Sequence, residues 1–266
     1  GSGGADTNRD AVSSTVVYKG KLFISTKEAD LAGVYRYDGG TNPWTLVTNV
    51  VGKAISTDTA NIDAFVLAVF NGALYAGSQT GTGTNTGALY QSTTAETGTD
   101  VFSATLVNTA RGSFGLSQTS VDGVSDIVVF EGNLYIGTQE PNAMEIGRYD
   151  GGTTFVQTNT PDGEFISTDA TDIDGVVFKQ YGNRLFVGAI TGALTARISV
   201  YDGIGTTMTA TQATLGTFDA VTQNIDVTSM KVWNGELYIA ASKANSAGVY
   251  RWLPDPSMTI STVVTN

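Results

Sequence analysis

One layout recurs five times along the chain. VVYKGKLFIST (16–26), AVFNGALYAGS (68–78), VVFEGNLYIGT (128–138), KQYGNRLFVGA (179–189, with its glycine one residue earlier) and KVWNGELYIAA (231–241) each read as an apolar strand, a two-residue turn containing glycine, and a second strand built on Leu-Tyr or Leu-Phe. The turn glycines Gly20, Gly72, Gly132, Gly182 and Gly235 return about every fifty residues. The rest of each unit is strand-like too, as in VYRYDGGTNPWTLV (34–47), RYDGGTTFVQT (148–158), SVYDGIGTTMTATQ (199–212) and VYRWLPDPSMTIST (249–262). No amphipathic helix stands out, because the runs free of Gly and Pro are dense in Val, Ile, Thr and aromatics, which favour a pleated surface.

Four antiparallel strands per unit, apolar on both faces, must be sandwiched between neighbouring units, and radial repetition does this. The expectation is an all-β, five-bladed β-propeller with four antiparallel strands per blade. Its blades run roughly over 10–50, 62–109, 122–160, 174–214 and 226–266, as one domain over 5–266, with GSGG (1–4) a linker outside the fold. The first unit opens with its inner strand and the last closes with its fourth, so the ends are expected to meet without strand exchange.

The hydrophobic strand, Asn-Gly, Leu-Tyr, and the pair Tyr37 and Trp44 six residues apart resemble the kelch family. The family's double glycine is replaced by Ser25-Thr26, Gly77-Ser78, Gly137-Thr138, Gly188-Ala189 and Ala240-Ala241, so the units are kelch-like. In blade number the chain is similar to the five-bladed tachylectin-type lectins, a resemblance that implies glycan recognition but carries no sugar-binding motif.

Composition narrows the chemistry. The 266 residues include no His and no Cys, which removes Ser-His-Asp and Cys-His nucleophiles, thiolate metal sites and disulfides. Lys and Arg number 14, scattered singly in a chain of net charge -11, so neither nucleic acid nor an anionic membrane is an expected partner. No signal peptide and no run of 18 apolar residues is seen. The Thr/Gly/Ser-rich, acidic, Cys-free composition suits an extracellular or cell-surface setting, including a larger surface assembly.

ISTDTANID (55–63) returns as ISTDATDID (166–174). On a propeller both link one blade's outer strand to the next blade's inner strand. The links NRD (8–10), NID (61–63), SVD (120–122), DID (172–174) and NID (224–226) all end in Asp. Asp10, Asp63, Asp122, Asp174 and Asp226 should thus ring the channel mouth. The preferred reading is structural, with each carboxylate accepting backbone N–H bonds one or two residues on, because every blade carries it. A second reading is calcium at Asp169, Asp172 and Asp174, which offer hard oxygen ligands at short spacing. The third is catalysis, which needs one asymmetric pair of carboxyl groups and is poorly served by a residue repeated in every unit.

Function should therefore sit where the units differ. The loops between second and third strands, KEADLAG (27–33), QTGTGTNTG (79–87), QEPNAMEIG (139–147), ITGALTA (190–196) and SKANSAG (242–248), are polar and unequal. Glu28, Gln79, Gln139, Glu140 and Lys243 are their candidate ligand-binding residues. Lys179 and Lys231 break the apolar pattern of inner strands and are expected to form ion pairs. Tyr18, Phe70, Phe130, Tyr181 and Trp233, one repeat position before each turn, are expected to pack between blades rather than stack on sugar. The functional expectation is a non-catalytic extracellular binding or structural module for a glycan or protein. Its alternative is a glycan-active hydrolase using carboxylates at the channel mouth.

Overall fold

The structure, a computed structural model, describes residues 11–55, 62–80, 85–99, 101–102, 106–108, 110–149, 151, 155–159, 162, 164, 173–191, 197–204, 209–210, 224–243, 246–252 and 260–265. It is an all-β, five-bladed β-propeller of antiparallel strands. Blade 1 contains β1 (Ala11–Tyr18), β2 (Lys21–Lys27), β3 (Val34–Tyr37) and β4 (Trp44–Leu46). Blade 2 contains β5 (Ala64–Phe70), β6 (Ala73–Gln79) and β7 (Leu89–Ser92), and Leu106 bridges to Tyr90 on the outer side of β7. Blade 3 contains β8 (Gly123–Phe130), β9 (Asn133–Gln139), β10 (Ile146–Tyr149) and β11 (Phe155–Gln157). Blade 4 contains β12 (Ile173–Tyr181), β13 (Arg184–Thr191), β14 (Ile198–Tyr201) and β15 (Thr209–Ala210). Blade 5 contains β16 (Asn224–Trp233), β17 (Glu236–Lys243), β18 (Ser246–Trp252) and β19 (Ile260–Thr265). Strands pair in sequence order within each blade, and one bridge, Gln79 to Gly123, joins blades 2 and 3 into a continuous sheet.

The inner hairpins turn tightly because both central residues take positive φ at Lys19-Gly20, Asn71-Gly72, Glu131-Gly132 and Asn234-Gly235. That is the turn whose twist matches the flanking strands. Alternation then sends two residue sets to opposite sides of each inner strand. Tyr18 and Val16 face blade 2, Phe70, Ala68 and Val66 face blade 3, and Phe130 and Val128 face blade 4. Aromatic pairs repeat with them at ring separations near 6 Å: Tyr18–Phe23, Phe70–Tyr75, Phe130–Tyr135, Tyr181–Phe186 and Trp233–Tyr238. Between blades they meet the last aromatic of the next blade's third strand, as in Tyr75–Tyr149, Tyr135–Tyr201 and Phe186–Trp252. The expected inter-blade packing of these aromatics therefore holds for four of the five; Trp233 is 67% exposed.

Among the described residues the facing sides of blades 5 and 1 share no apolar cluster, and Trp233 lies on that side of blade 5. Four apolar clusters lie between blades 1 and 2, 2 and 3, 3 and 4, and 4 and 5. Inner strands β1 and β5, β5 and β8, β8 and β12, and β12 and β16 pack side by side, while β16 and β1 share no comparable contact. The expectation that the ends meet falls on residues 1–10 and 266, which lie outside the described residues. At the positions filled by Val66 and Ala68 in blade 2, blade 5 presents the exposed Ser229 and Lys231.

Candidate functional site: the link face

The blade-entry aspartates lie against the second-to-third-strand loops of the preceding blade, which places links and loops on one face. Asp63 Oδ1 accepts the Asp30 N–H (2.7 Å), Asp122 Oδ1 the Asn85 N–H (3.0 Å) and Asp174 Oδ1 the Asn142 N–H (2.8 Å). Asp30, Asn85 and Asn142 all have positive φ, a conformation uncommon for residues other than glycine. In blade 4 the Thr191 N–H donates to Asp226 Oδ1 (2.7 Å). Each carboxylate thus pins a left-handed or terminal residue of the neighbouring loop. The structural reading holds for these four, with a different partner from the one expected, since the donor lies one blade back instead of one or two residues on. Asp10 lies outside the described residues. Burial, and then the charge of Asp174, raise the Asp226 carboxyl above its ordinary range, against the Thr191 bond, so neighbouring members of the ring feel one another.

Of the calcium candidates, Asp169 and Asp172 lie outside the described residues, and the Asp174 carboxylate is the one that holds Asn142. Among the ligand-binding candidates, Gln79 Nε2 donates to the Ser125 carbonyl of the next blade (3.3 Å) and Gln139 is half-buried. Lys243 ends β17, and its side chain lies outside the described residues. Glu28 and Glu140 are more informative. They occupy the same position, one residue beyond the end of the second strand, and both N–H groups donate to the entry aspartate of the next blade, Glu28 to the Asp63 carbonyl (2.8 Å) and Glu140 to the Asp174 carbonyl (2.9 Å). The other blades hold Thr80, Thr191 and Lys243 there. Glu28 is buried, and its Oε2 has no hydrogen-bond partner. Glu140 Oε2 accepts the Asp122 N–H (3.2 Å), while burial and then the Asp122 charge raise its carboxyl above the usual range.

A third carboxylate escaped sequence reasoning. Asp126 stands in β8 on the side facing blade 4, where blade 1 has Ser14 and blade 2 has Val66. Its Oδ1 accepts the Ile127 N–H (2.8 Å) and its Oδ2 the Phe178 N–H (2.7 Å) of the next inner strand, as Ser14 Oγ accepts Leu67 N–H (3.1 Å) between blades 1 and 2. Asp126 is half-buried, and protein surrounds its carboxylate. Burial pushes its pKa up to about 6, against the two N–H bonds and the nearby Lys179 charge. The signal was available, since the charge-in-an-inner-strand argument applied to Lys179 and Lys231 applies equally to Asp126. The expected ion pairs of Lys179 and Lys231 are not made with any described residue; Lys179 acts on Asp126 through space, and Lys231 is exposed.

No protein-family profile and no curated protein sequence matches the chain. Solved structures similar in fold include an exo-1,5-α-L-arabinanase from a bovine ruminal metagenomic library, 13% identical with TM-score 0.50, covering 94% of this chain and 95% of that one. A thermostable family-43 glycoside hydrolase is 9% identical with TM-score 0.52, covering 94% and 91%. A prolyl endopeptidase is 14% identical with TM-score 0.54, covering 96% of this chain and 35% of that one. At such identities the likeness is one of fold. The expectation of a non-catalytic binding or structural module is corrected by these findings, since the recurring whole-length matches in fold are glycoside hydrolases.

Proposed function

We propose that the chain is a glycan-active hydrolase working outside the cell on a polysaccharide, with Glu140 as general acid and Glu28 as the second carboxylate, acting as base or nucleophile. The observation that carries this reading is asymmetry at one repeat position. The entry aspartates recur and are committed to holding loops, whereas a carboxylate at the end of the second strand occurs in blades 1 and 3 and is replaced by Thr or Lys elsewhere. Glycoside cleavage asks for two carboxyl groups in different environments, one holding its proton to deliver it to the leaving oxygen, the other ionised. Burial and the Asp122 charge prepare Glu140 for the first role. An unpaired, buried carboxylate oxygen is costly to keep in a fold that makes no use of it, and Glu28 has one.

The test is reducing-sugar release from arabinan, xylan and other neutral polysaccharides by the purified chain and by Glu140→Gln and Glu28→Gln. Each substitution should lower turnover about 100-fold or more, the usual worth of a positioned acid or base. A general acid works while protonated, so the wild-type rate should fall as pH rises through the elevated Glu140 pKa. That alkaline limb should be missing from the residual activity of Glu140→Gln. Absence of turnover on every substrate, or full activity in either variant, would remove the proposal.

A further inference from the structure

At the opposite end of the inner strands from the link face, the seams between blades close in a repeated way, and one of them does not. Between blades 1 and 2 the Tyr18 hydroxyl donates to the carbonyls of the turn glycine Gly72 and of Thr93 (2.9 and 3.1 Å). Between blades 4 and 5 the Tyr181 hydroxyl donates to the turn glycine Gly235 (2.8 Å). Between blades 3 and 4 the position holds Phe130, which has no hydroxyl, but Phe130 is fully buried and the Glu131 carboxylate lies against Gly203 of the next blade and fills the space. Between blades 2 and 3 the position holds Phe70, and no described residue substitutes for the missing hydroxyl. A cleft of about 300 Å³ remains there, lined by Phe70, Tyr75 and Tyr149 with Asn71, Gln91, Asn133 and the turn glycine Gly132.

The lining has a definite chemistry. Tyr75 and Tyr149 stand with ring centroids 6.3 Å apart, and neither hydroxyl has a hydrogen-bond partner or is sealed from solvent. The amides of Asn71 and Gln91 are likewise uncommitted, and Asn133 spends one N–H on the Glu131 carbonyl (3.3 Å). Among the described residues no charged side chain lines the cleft. Aromatic faces joined to neutral donors and acceptors, in a concavity at the small end of the ligand-site range, match the alternation of C–H faces and hydroxyl edges on a sugar ring. A carboxylated or phosphorylated ligand would find no cation there. The hairpin turns Asn71-Gly72 and Glu131-Gly132, both fixed at positive φ, make the two rims rigid.

We propose that the cleft between blades 2 and 3 on the hairpin face is a binding site for an uncharged saccharide, present because Phe70 lacks the hydroxyl that closes the equivalent seams at Tyr18 and Tyr181. The site lies at the far end of β5 and β8 from Glu28 and Glu140, so it serves to hold a glycan and not to cleave it. It stands independently of the hydrolase reading.

Calorimetric titration of the full chain with xylohexaose, arabinohexaose and cellohexaose, and with hexagalacturonic acid as the charged control, tests the site. At least one neutral oligosaccharide should bind, and the uronate should not. The decisive variant is Phe70→Tyr, which restores the repeat's hydroxyl opposite the Gly132 carbonyl. It should weaken saccharide binding by about tenfold or more, as expected when a ligand loses its cavity and its hydrogen bonds, while leaving the melting temperature equal or higher and turnover of a short soluble substrate unchanged. Gln91→Ala should weaken binding in the same direction. Binding of no neutral oligosaccharide, equal binding of the uronate, or binding untouched by Phe70→Tyr would overturn the proposal. Failure of the hydrolase reading would show instead as absent turnover with this titration unaffected.

Discussion

At the scale of single residues, repetition distinguishes scaffold from site. The aspartate at the head of each inner strand was legible because it returns in every unit, but its partner was not. Asp30 and Asp63 are far apart in sequence, and periodicity reveals that a blade needs a residue without revealing across which seam it reaches. Removing the Asp63 carboxylate should free the left-handed Asp30 and cost about 1–2 kcal/mol, the scale of a lost side-chain cap. Asp63→Ala melted against wild type measures this, and turnover by the folded fraction should persist. An unchanged melting temperature with lost turnover would make the ring part of the reaction site. Asp126 invites a different measurement. Its folded pKa of about 6 exceeds the value near 3.9 of an unfolded aspartate, so the folded state holds its proton more tightly. The stabilisation this gives is complete below about pH 4 and is lost as pH rises through about 6. Asp126→Asn should flatten the fall in melting temperature over that window; identical slopes in both proteins would show that the carboxyl is well solvated.

At the scale of the strand and hairpin, the turns, the alternation and the aromatic before each turn could all be read in advance, because each is set by neighbours within one hairpin. The small pair ending the second strand could be seen but not explained, since its reason lies in the adjoining blade. A Cβ added to Gly77 would come within 2.7 Å of Val124, one on Gly188 within 2.5 Å of Val227, and one on Gly137 would overlap Val176. The first small residue thus makes room for a valine of the next inner strand. The second carries a hydroxyl that accepts the first N–H of the returning segment, from Gly33 to Thr26, Ala88 to Ser78 and Glu145 to Thr138 (3.0, 2.9 and 2.7 Å). Blades 4 and 5 have Ala189 and Ala241 and lack this bond. Gly137→Ala should therefore destabilise by about 1–3 kcal/mol through overpacking, read as a lower denaturation midpoint. A neutral result would show that blade 4 can shift away, and that the seam is looser than its buried valine implies.

At the scale of the whole molecule, the described residues of the five blades form four apolar seams, and the facing sides of blades 5 and 1 differ from them. On blade 1, Val17 is 65% exposed and Leu22 40%, whereas Leu74, Leu134, Leu185 and Leu237, the counterparts of Leu22, are fully buried. Blade 1 thus offers an ordinary apolar face. Blade 5 carries Ser229 and Lys231 on the side facing blade 1. Blade 4 packs on blade 5 with Lys179 at the position of Lys231, but Lys179 acts on the Asp126 carboxylate, whereas no described residue of blade 1 offers Lys231 a partner. If this composition is what holds the seam open, restoring the repeat should close it. The double variant Ser229→Val and Lys231→Val gives β16 the side chains that Val66, Val128 and Val16 supply elsewhere, and two valines moved from water into a core contribute about 1–3 kcal/mol each. The melting temperature should rise, and amide hydrogens of β1, which in the wild type should exchange faster than those of β5, β8 and β12, should become as protected as theirs. The variant should stay monomeric in light scattering, because the face presented to Trp233 belongs to the same chain and its effective concentration exceeds that of any second copy. A stable dimer would mean that blade 5 seeks blade 1 of another molecule. Unchanged exchange of β1 would mean that geometry rather than chemistry keeps the two faces apart.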